Sequence, residues 1–376
     1  MKIRYCVLYP QAENVHLIKD VGMIAYKLFK AYDYDASVAC YEKGTYEYLE
    51  KEVKGLKLSF IKRRYNNDIL DGISYIKRNA KSIDVLQLFH VTLRTVFYTF
   101  AYKIFNPKGK IFIKLDCTNR LIDVIKSLSG IKYKMLNAFL NKVDIIGVEQ
   151  ETLYEQLRDI LSEQSKKLLV IPNGIDFEAT NKYNSLNFKD KENIILHVGR
   201  IGSPEKATDI LLNAVKNIKD IEISGWKVNI VGPIEENFKE YIDEFFQKNA
   251  HLKGVVEFKG AVYDREQLFD EYKKAKIFCL SSNYESFGIA LIEAASFGDV
   301  IVSTDVGIAK ELVKGNNGII VDVQDEDMFS KGIEKLMYCD DLYELSALTE
   351  KICREKYDWN NIVEVLHQRI LNINRG

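Results

Sequence analysis

The chain has 376 residues, 47% of them hydrophobic and 28% charged. That length exceeds what one core usually fills and suits two α/β domains, and the composition is that of a soluble globular protein. Net charge is −1, yet residues 1–180 hold 28 Lys and Arg against 21 Asp and Glu, while residues 181–376 hold 25 against 33; an anionic partner is expected for the first half, and no nucleic acid for either.

No apolar run reaches the roughly 18 residues of a membrane span, and the start Met1–Tyr9 is too short, and too polar beyond Pro10, for a signal peptide. Cys6, Cys40, Cys117, Cys279, Cys339 and Cys353 form no CxxC pair. Several fall in apolar runs, as reduced, buried thiols of a cytoplasmic protein do.

In chain order, Ile3–Tyr9 reads as a strand and Asp20–Ala31 as a helix, with Val21, Ile24, Ala25, Leu28 and Phe29 at helical spacing. Ser37–Tyr41 and Leu56–Ile61 read as strands, Ile69–Asn79 as a helix, and Val85–Phe89 as a short strand ending at His90. Thr95–Phe105 is expected to be helical and Ile111–Leu115 a strand ending at Asp116. Lys126 through Lys142 is cationic and carries Leu128, Ile131, Met135, Leu136, Phe139 and Leu140. It suits either a solvated face over an ordinary core stripe or a helix resting on an anionic membrane. Val143–Val148 and Leu168–Ile171 are further strands, the last running into a Pro172-Asn173-Gly174 turn. Strands alternating with helices imply a doubly wound parallel sheet. Ligands of such sheets bind beyond the carboxyl ends of the strands, where His90 and Asp116 stand. A lone histidine there is also compatible with a hydrogen-bonded core residue.

Asn181–Glu192 is polar without apolar periodicity and reads as a linker. A second α/β domain starts at Asn193, with strands near Val228–Val231, Val255–Phe258, Ile277–Leu280, Val300–Ser303 and Gly318–Val321. Val198-Gly199-Arg200 ends its first strand, and Lys206 lies at the start of the next helix. After Ile277–Leu280 the chain turns through Glu285-Ser286-Phe287-Gly288 into the apolar helix Ile289-Ala290-Leu291-Ile292-Glu293. Ser286 is the expected N-cap, and backbone N–H groups at such a turn attract an anion, commonly phosphate. Glu293 lies among apolar neighbours and so needs a partner. The histidines show no ligand spacing, and Asp325-Glu326-Asp327 fits a helix start, so no metal is expected.

Glu285-x7-Glu293 enclosing Ser-Phe-Gly-Ile, with Gly199-Arg200, Lys206 and the Pro-Asn-Gly turn upstream, resembles the retaining glycosyltransferases of family 4 (glycosyl transferases group 1). The resemblance implies a GT-B fold, two Rossmann-like doubly wound parallel-sheet domains facing across a cleft. Residues 1–180, braced by a C-terminal helix at 356–376, would take the acceptor, and residues 190–355 the nucleotide-sugar. It implies further that Arg200 and Lys206 stabilise the diphosphate, and that the amides of Ser286, Phe287, Gly288 and Ile289 bind it. Glu293 would hold the ribose and Glu285 the sugar hydroxyls, with Asp116 and His90 beside the reacting centre. The glycines that many relatives carry after the first strand are missing, and Gly22 is the one candidate. Pro204 and Ala207 also depart from the pattern. The expected activity is transfer of a sugar, UDP-linked by preference, to a glycan or lipid-linked acceptor in polysaccharide or glycoconjugate synthesis. It would need no metal or cofactor and would occur at most peripherally on the inner membrane face. A non-catalytic GT-B subunit and a sugar-nucleotide epimerase are the alternatives.

Overall fold

The apolar runs become the strands of two all-parallel sheets in a computed structural model that describes residues 2–116, 119–180 and 188–374. Met1–Gly174 and Trp359–Gly376 form one unit, Ile175–Asp358 the other.

The first unit contains β1 (Arg4–Leu8), β2 (Asp35–Cys40), β3 (Lys57–Phe60), β4 (Val85–Phe89), β5 (Lys110–Leu115), β6 (Ile145–Val148) and β7 (Leu168–Val170). Their order is β3-β2-β1-β4-β5-β6-β7. All five residues of β4 are buried, as expected of a central parallel strand covered on both faces. One face packs on the helices Asp20–Tyr32 and Trp359–Asn374 through Ile24, Leu28, Trp359, Val363 and Leu366. The other packs on Asp68–Asn79 and Leu93–Phe105 through Tyr75, Ile76, Tyr98 and Tyr102. The cationic stretch Lys126–Lys142 is not one helix. It breaks at Leu128 and Ser129 into Asn119–Ser127 and Gly130–Lys142, the second entered through Gly130 at φ +55°.

The second unit contains β8 (Ile194–Val198), β9 (Lys227–Val231), β10 (Val256–Gly260), β11 (Ile277–Leu280), β12 (Val300–Thr304) and β13 (Gly318–Val321), ordered β10-β9-β8-β11-β12-β13. Each sheet reverses strand order once, between β1 and β4 and between β8 and β11. Those switch points leave a crevice at the carboxyl ends of the strands.

The chain passes to the second unit at Ile175, six residues before the polar stretch. Ile175 N–H donates to Tyr357 O at 2.7 Å, and Phe177 is buried under the Arg354 guanidinium, 4.2 Å from its ring centre. Of the expected linker, 181–187 lie outside the described residues, and 188–192 are anchored rather than loose. Lys191 Nζ donates to Ala275 O at 2.6 Å and to the buried Asp299 carboxylate at 2.7 Å. Polar composition misleads there because the pinning cation is itself polar. Cys117 also lies outside the described residues; Cys6, Cys40, Cys279, Cys339 and Cys353 are free thiols.

Candidate functional site

At the second sheet's switch point, β8 delivers Gly199-Arg200 and β11 delivers Ser281 through Gly288. Five hydrogen bonds stitch the two segments together. Ser281 Oγ donates to Lys206 O at 3.1 Å and Ala207 O at 2.9 Å; Asn283 gives its N–H to Glu205 O at 2.8 Å and its side-chain amide to Pro204 O at 2.9 Å. The fifth joins the charges. Lys206 Nζ lies 2.5 Å from Glu285 Oε1, which also accepts from Ser282 Oγ at 2.7 Å. Both side chains of this pair are largely buried, at 19% and 11% exposure, so the ion pair is screened little by solvent. Arg200 is different: 58% exposed, with Glu205 3.5 Å away. Ala207 takes the left-handed conformation, φ +45°, so a loop that usually has glycine here keeps its shape at a cost of about 1–2 kcal/mol.

Ser286 is not the helix cap. The helix runs Ile289–Ser296 and its N-cap is Gly288, at φ +94°. A side chain is disfavoured at that angle, so the sharp turn selects glycine over a capping serine. The first N–H groups of the helix lack intrahelical acceptors, as at any helix start. Phe287 contributes backbone only: its ring is buried against Tyr357 and its carbonyl accepts from Ile308 N–H at 3.0 Å. Ile289 is partly buried against the same core. Glu293 has the partner its surroundings require, the Tyr272 hydroxyl at 3.0 Å. Burial, reinforced by that carboxylate, holds the Tyr272 hydroxyl well above the usual phenol range. Beneath the loop, His197 Nδ1–H donates to Cys279 O, 3.0 Å away. Burial pushes its imidazole down to about 4.

Sequence reasoning missed Tyr272, Ser282 and Gly307. A Cβ at Gly307 would stand 2.2 Å from Phe287 O, and the residue sits at φ +54°. The signal available was a glycine just after a strand end.

At the first sheet's switch point, Phe89 pairs with Lys114, the last pair of the register; His90 follows the one strand directly, and Asp116 comes one residue further beyond the other. His90 has φ +58°, donates its N–H to Lys114 O at 2.9 Å and accepts at its carbonyl from Thr95 Oγ1 at 2.8 Å. Asp116 is exposed. Below it lies a charged cluster that sequence reasoning did not find. The fully buried Lys114 reaches Asp20 at 2.9 Å and Glu149 at 2.5 Å, and Asn173, from the Pro-Asn-Gly turn, donates to Glu149 Oε1 at 2.7 Å. Gly22 is not in a loop. It is the third residue of the helix Asp20–Tyr32, and a Cβ there would stand 2.1 Å from Leu17 O, so close packing explains it.

A profile of the family described as "Glycosyl transferases group 1" matches residues 178–349. Among curated relatives, an uncharacterised glycosyltransferase of Methanocaldococcus jannaschii, MJ1607, is 29% identical over 226 residues, 57% of this chain and 56% of that one. A phosphatidyl-myo-inositol mannosyltransferase of Mycolicibacterium smegmatis is 29% identical over 50% of this chain and 48% of its own. The chain thus spans about half the length of the curated relatives it matches. Among solved structures, Anabaena Alr3699/HepE in complex with UDP and glucose aligns with TM-score 0.69 at 15% identity, covering 98% of this chain and 100% of that one. A Rickettsia africae glycosyltransferase aligns at 0.73 and 16%, covering 99% and 98%. The chain therefore has the GT-B fold, and its residues 178–349 match the family described as glycosyl transferases group 1.

Proposed function

We propose that this chain is a retaining glycosyltransferase that moves a sugar from a nucleotide diphosphate, UDP by preference, to a glycan or lipid-linked acceptor. The observation that carries the reading is the largely buried Lys206–Glu285 pair, seated beside exposed Arg200 and the helix start at Gly288. A leaving nucleoside diphosphate gains negative charge as the glycosidic bond breaks. Arg200, Lys206 and the amides at Ile289 are fixed donors for that charge and need no metal. Lys206 bridges the anion and Glu285, whose carboxylate Ser282 and Lys206 hold in place for the sugar hydroxyls. Glu293, oriented by Tyr272, takes the ribose. Retention follows when the departing phosphate oxygen accepts the acceptor's proton on the face it leaves, so the protein supplies positioning rather than a nucleophile. On the first unit, Asp116 and His90 orient the incoming hydroxyl.

UDP is supported by the Anabaena complexes, a lipid-linked acceptor by the mannosyltransferase's name, and polysaccharide synthesis by an amylovoran biosynthesis glycosyltransferase of Erwinia amylovora, 27% identical over 47% of this chain. The acceptor reading places the protein peripherally at the cytoplasmic membrane face. The test is a panel of nucleotide sugars read by mass spectrometry for slow hydrolysis, with Glu285→Ala as control. One donor should be hydrolysed, with loss in the variant, and product NMR should show the donor's anomeric configuration. Binding without turnover of any donor would make the chain a non-catalytic subunit, and 2-epimerised product an epimerase.

A further inference from the structure

The cluster beneath Asp116 holds more acid than base. Lys114 Nζ, fully buried, is the cation, and it meets two carboxyl groups, Asp20 of the helix Asp20–Tyr32 and Glu149 beyond β6. Asp116, beyond β5, is a third carboxyl group facing Glu149. Asn173 adds an amide but no charge. Glu149 divides its oxygens unequally. Oε1 accepts from Lys114 at 2.5 Å and Asn173 at 2.7 Å. Oε2 is buried and receives no donor.

A carboxylate oxygen taken out of water without a donor is costly, the more so when it carries charge. The cost disappears if that oxygen carries a proton and Asp116 accepts it. Oε1 then serves as the carbonyl oxygen of a neutral acid, Oε2–H donates to Asp116, and Lys114 is balanced by Asp20. Every polar atom of Glu149 has a partner in that state and in no fully ionised one. We infer that Glu149 is a positioning residue: protonated, it donates a hydrogen bond that fixes the Asp116 carboxylate at the mouth of the first sheet's switch point. Physical chemistry runs the same way. Burial first, and Asp116 next to Lys114's opposing pull, push the Glu149 carboxyl up to about 8. Burial works against the charge of Lys114, and the attraction of Asp20, the foremost of the opposing influences, keeps the ammonium.

Above that range the proton leaves, Glu149 and Asp116 repel, and Asp116 loses its orientation. The catalytic part of this inference rests on the proposed transferase reading; the protonation does not. The test is therefore double. Infrared difference spectra between about pH 7 and 9 should show a protonated-carboxyl carbonyl band that disappears on ionisation, and Glu149→Gln should lack it. That readout needs no activity, so its failure overturns the shared proton, whereas absent turnover alone would overturn only the transferase. In the kinetic arm, kcat of the wild type should fall about tenfold between those pH values, as a group titrating near 8 requires. Glu149→Gln is an isostere of the protonated acid, with Nε2 donating to Asp116, and should flatten that ratio to within about twofold. Glu149→Ala should lower kcat at least tenfold with KM for the donor little changed. An alkaline limb that persists in Glu149→Gln, or an infrared band unaffected by the substitution, would overturn the inference.

Discussion

Lys206 and Arg200 do different work although both are cations at the same switch point. Lys206 is held by Glu285 before any anion arrives, so its position is fixed; Arg200 is exposed, with a long 3.5 Å contact to Glu205. Each is expected to matter most as charge grows on the leaving group. Lys206→Ala and Arg200→Ala should each lower kcat by about 10² or more, with a smaller change in donor affinity. Thermal stability should separate them: Lys206→Ala strands the largely buried Glu285 and lowers Tm, Arg200→Ala does not. Activity should persist in EDTA, and loss on chelation would sink the metal-free account. His197 gives a pH prediction with a definite sign. Its folded pKa, about 4, lies below the unfolded value of 6.5. The unfolded chain therefore binds the extra proton first as pH falls. The contribution is whole above about pH 6.5, declines through the window down to about 4, and amounts to about 3 kcal/mol at most. Denaturant midpoints measured across that window should fall in the wild type and fall less in His197→Gln.

At the scale of elements, the loop Glu285–Gly288 keeps its form because the segment after β12 closes over it. Ile308 N–H bonds to Phe287 O, and Gly307 lies so near that a Cβ would overlap that same carbonyl. Gly307→Ala should cost stability by about 2 kcal/mol or more and raise donor KM, because the displaced carbonyl moves the turn whose amides face the ligand. A variant with unchanged Tm and KM would show that the closure is not needed. The strands were legible because buried parallel strands are short apolar runs, and Val85–Phe89, Ile277–Leu280 and Gly318–Val321 coincide with β4, β11 and β13. The paired carboxylates and strand-end cations could be singled out as candidates because they stand in one local stretch or at one strand end. What escaped were relations between distant segments. Nothing local joins Lys114 to Asp20 and Glu149, or Tyr272 to Glu293. Ser286 was misjudged as a cap because a serine before a helix is the commoner device, whereas a positive φ is set by the loop that follows β12.

At the scale of the whole chain, the basic first half needs an explanation that the phosphate chemistry proposed for the second unit does not give. The helix Leu93–Phe105 leaves Leu93, Phe97, Phe100 and Ile104 exposed, spaced so that all four share one face. The helix Gly130–Lys142 packs beside it and exposes Ile131 (75%) and Met135 (64%). Exposed Lys108, Arg120, Lys126, Lys132 and Lys134 lie in the same stretch of chain. Exposed apolar side chains on two neighbouring helices, with exposed cations close by in the chain, are unfavourable in water and suit an anionic bilayer surface. Among the described residues no helix is long and apolar enough to cross a membrane, so the contact would be superficial. Each cation near such a surface contributes about 1 kcal/mol at low ionic strength, and salt removes that part. Burial of the apolar side chains is insensitive to screening and contributes about 25 cal/mol per Å² covered. Flotation with anionic liposomes should therefore be strong at low salt and weaker, but not abolished, at high salt. A Phe97→Glu/Ile104→Glu variant should lose the salt-resistant part while retaining donor hydrolysis, since neither residue belongs to the donor site. Wild-type protein that fails to float at low salt would return these helices to an ordinary solvated face and leave the acceptor a water-soluble glycan.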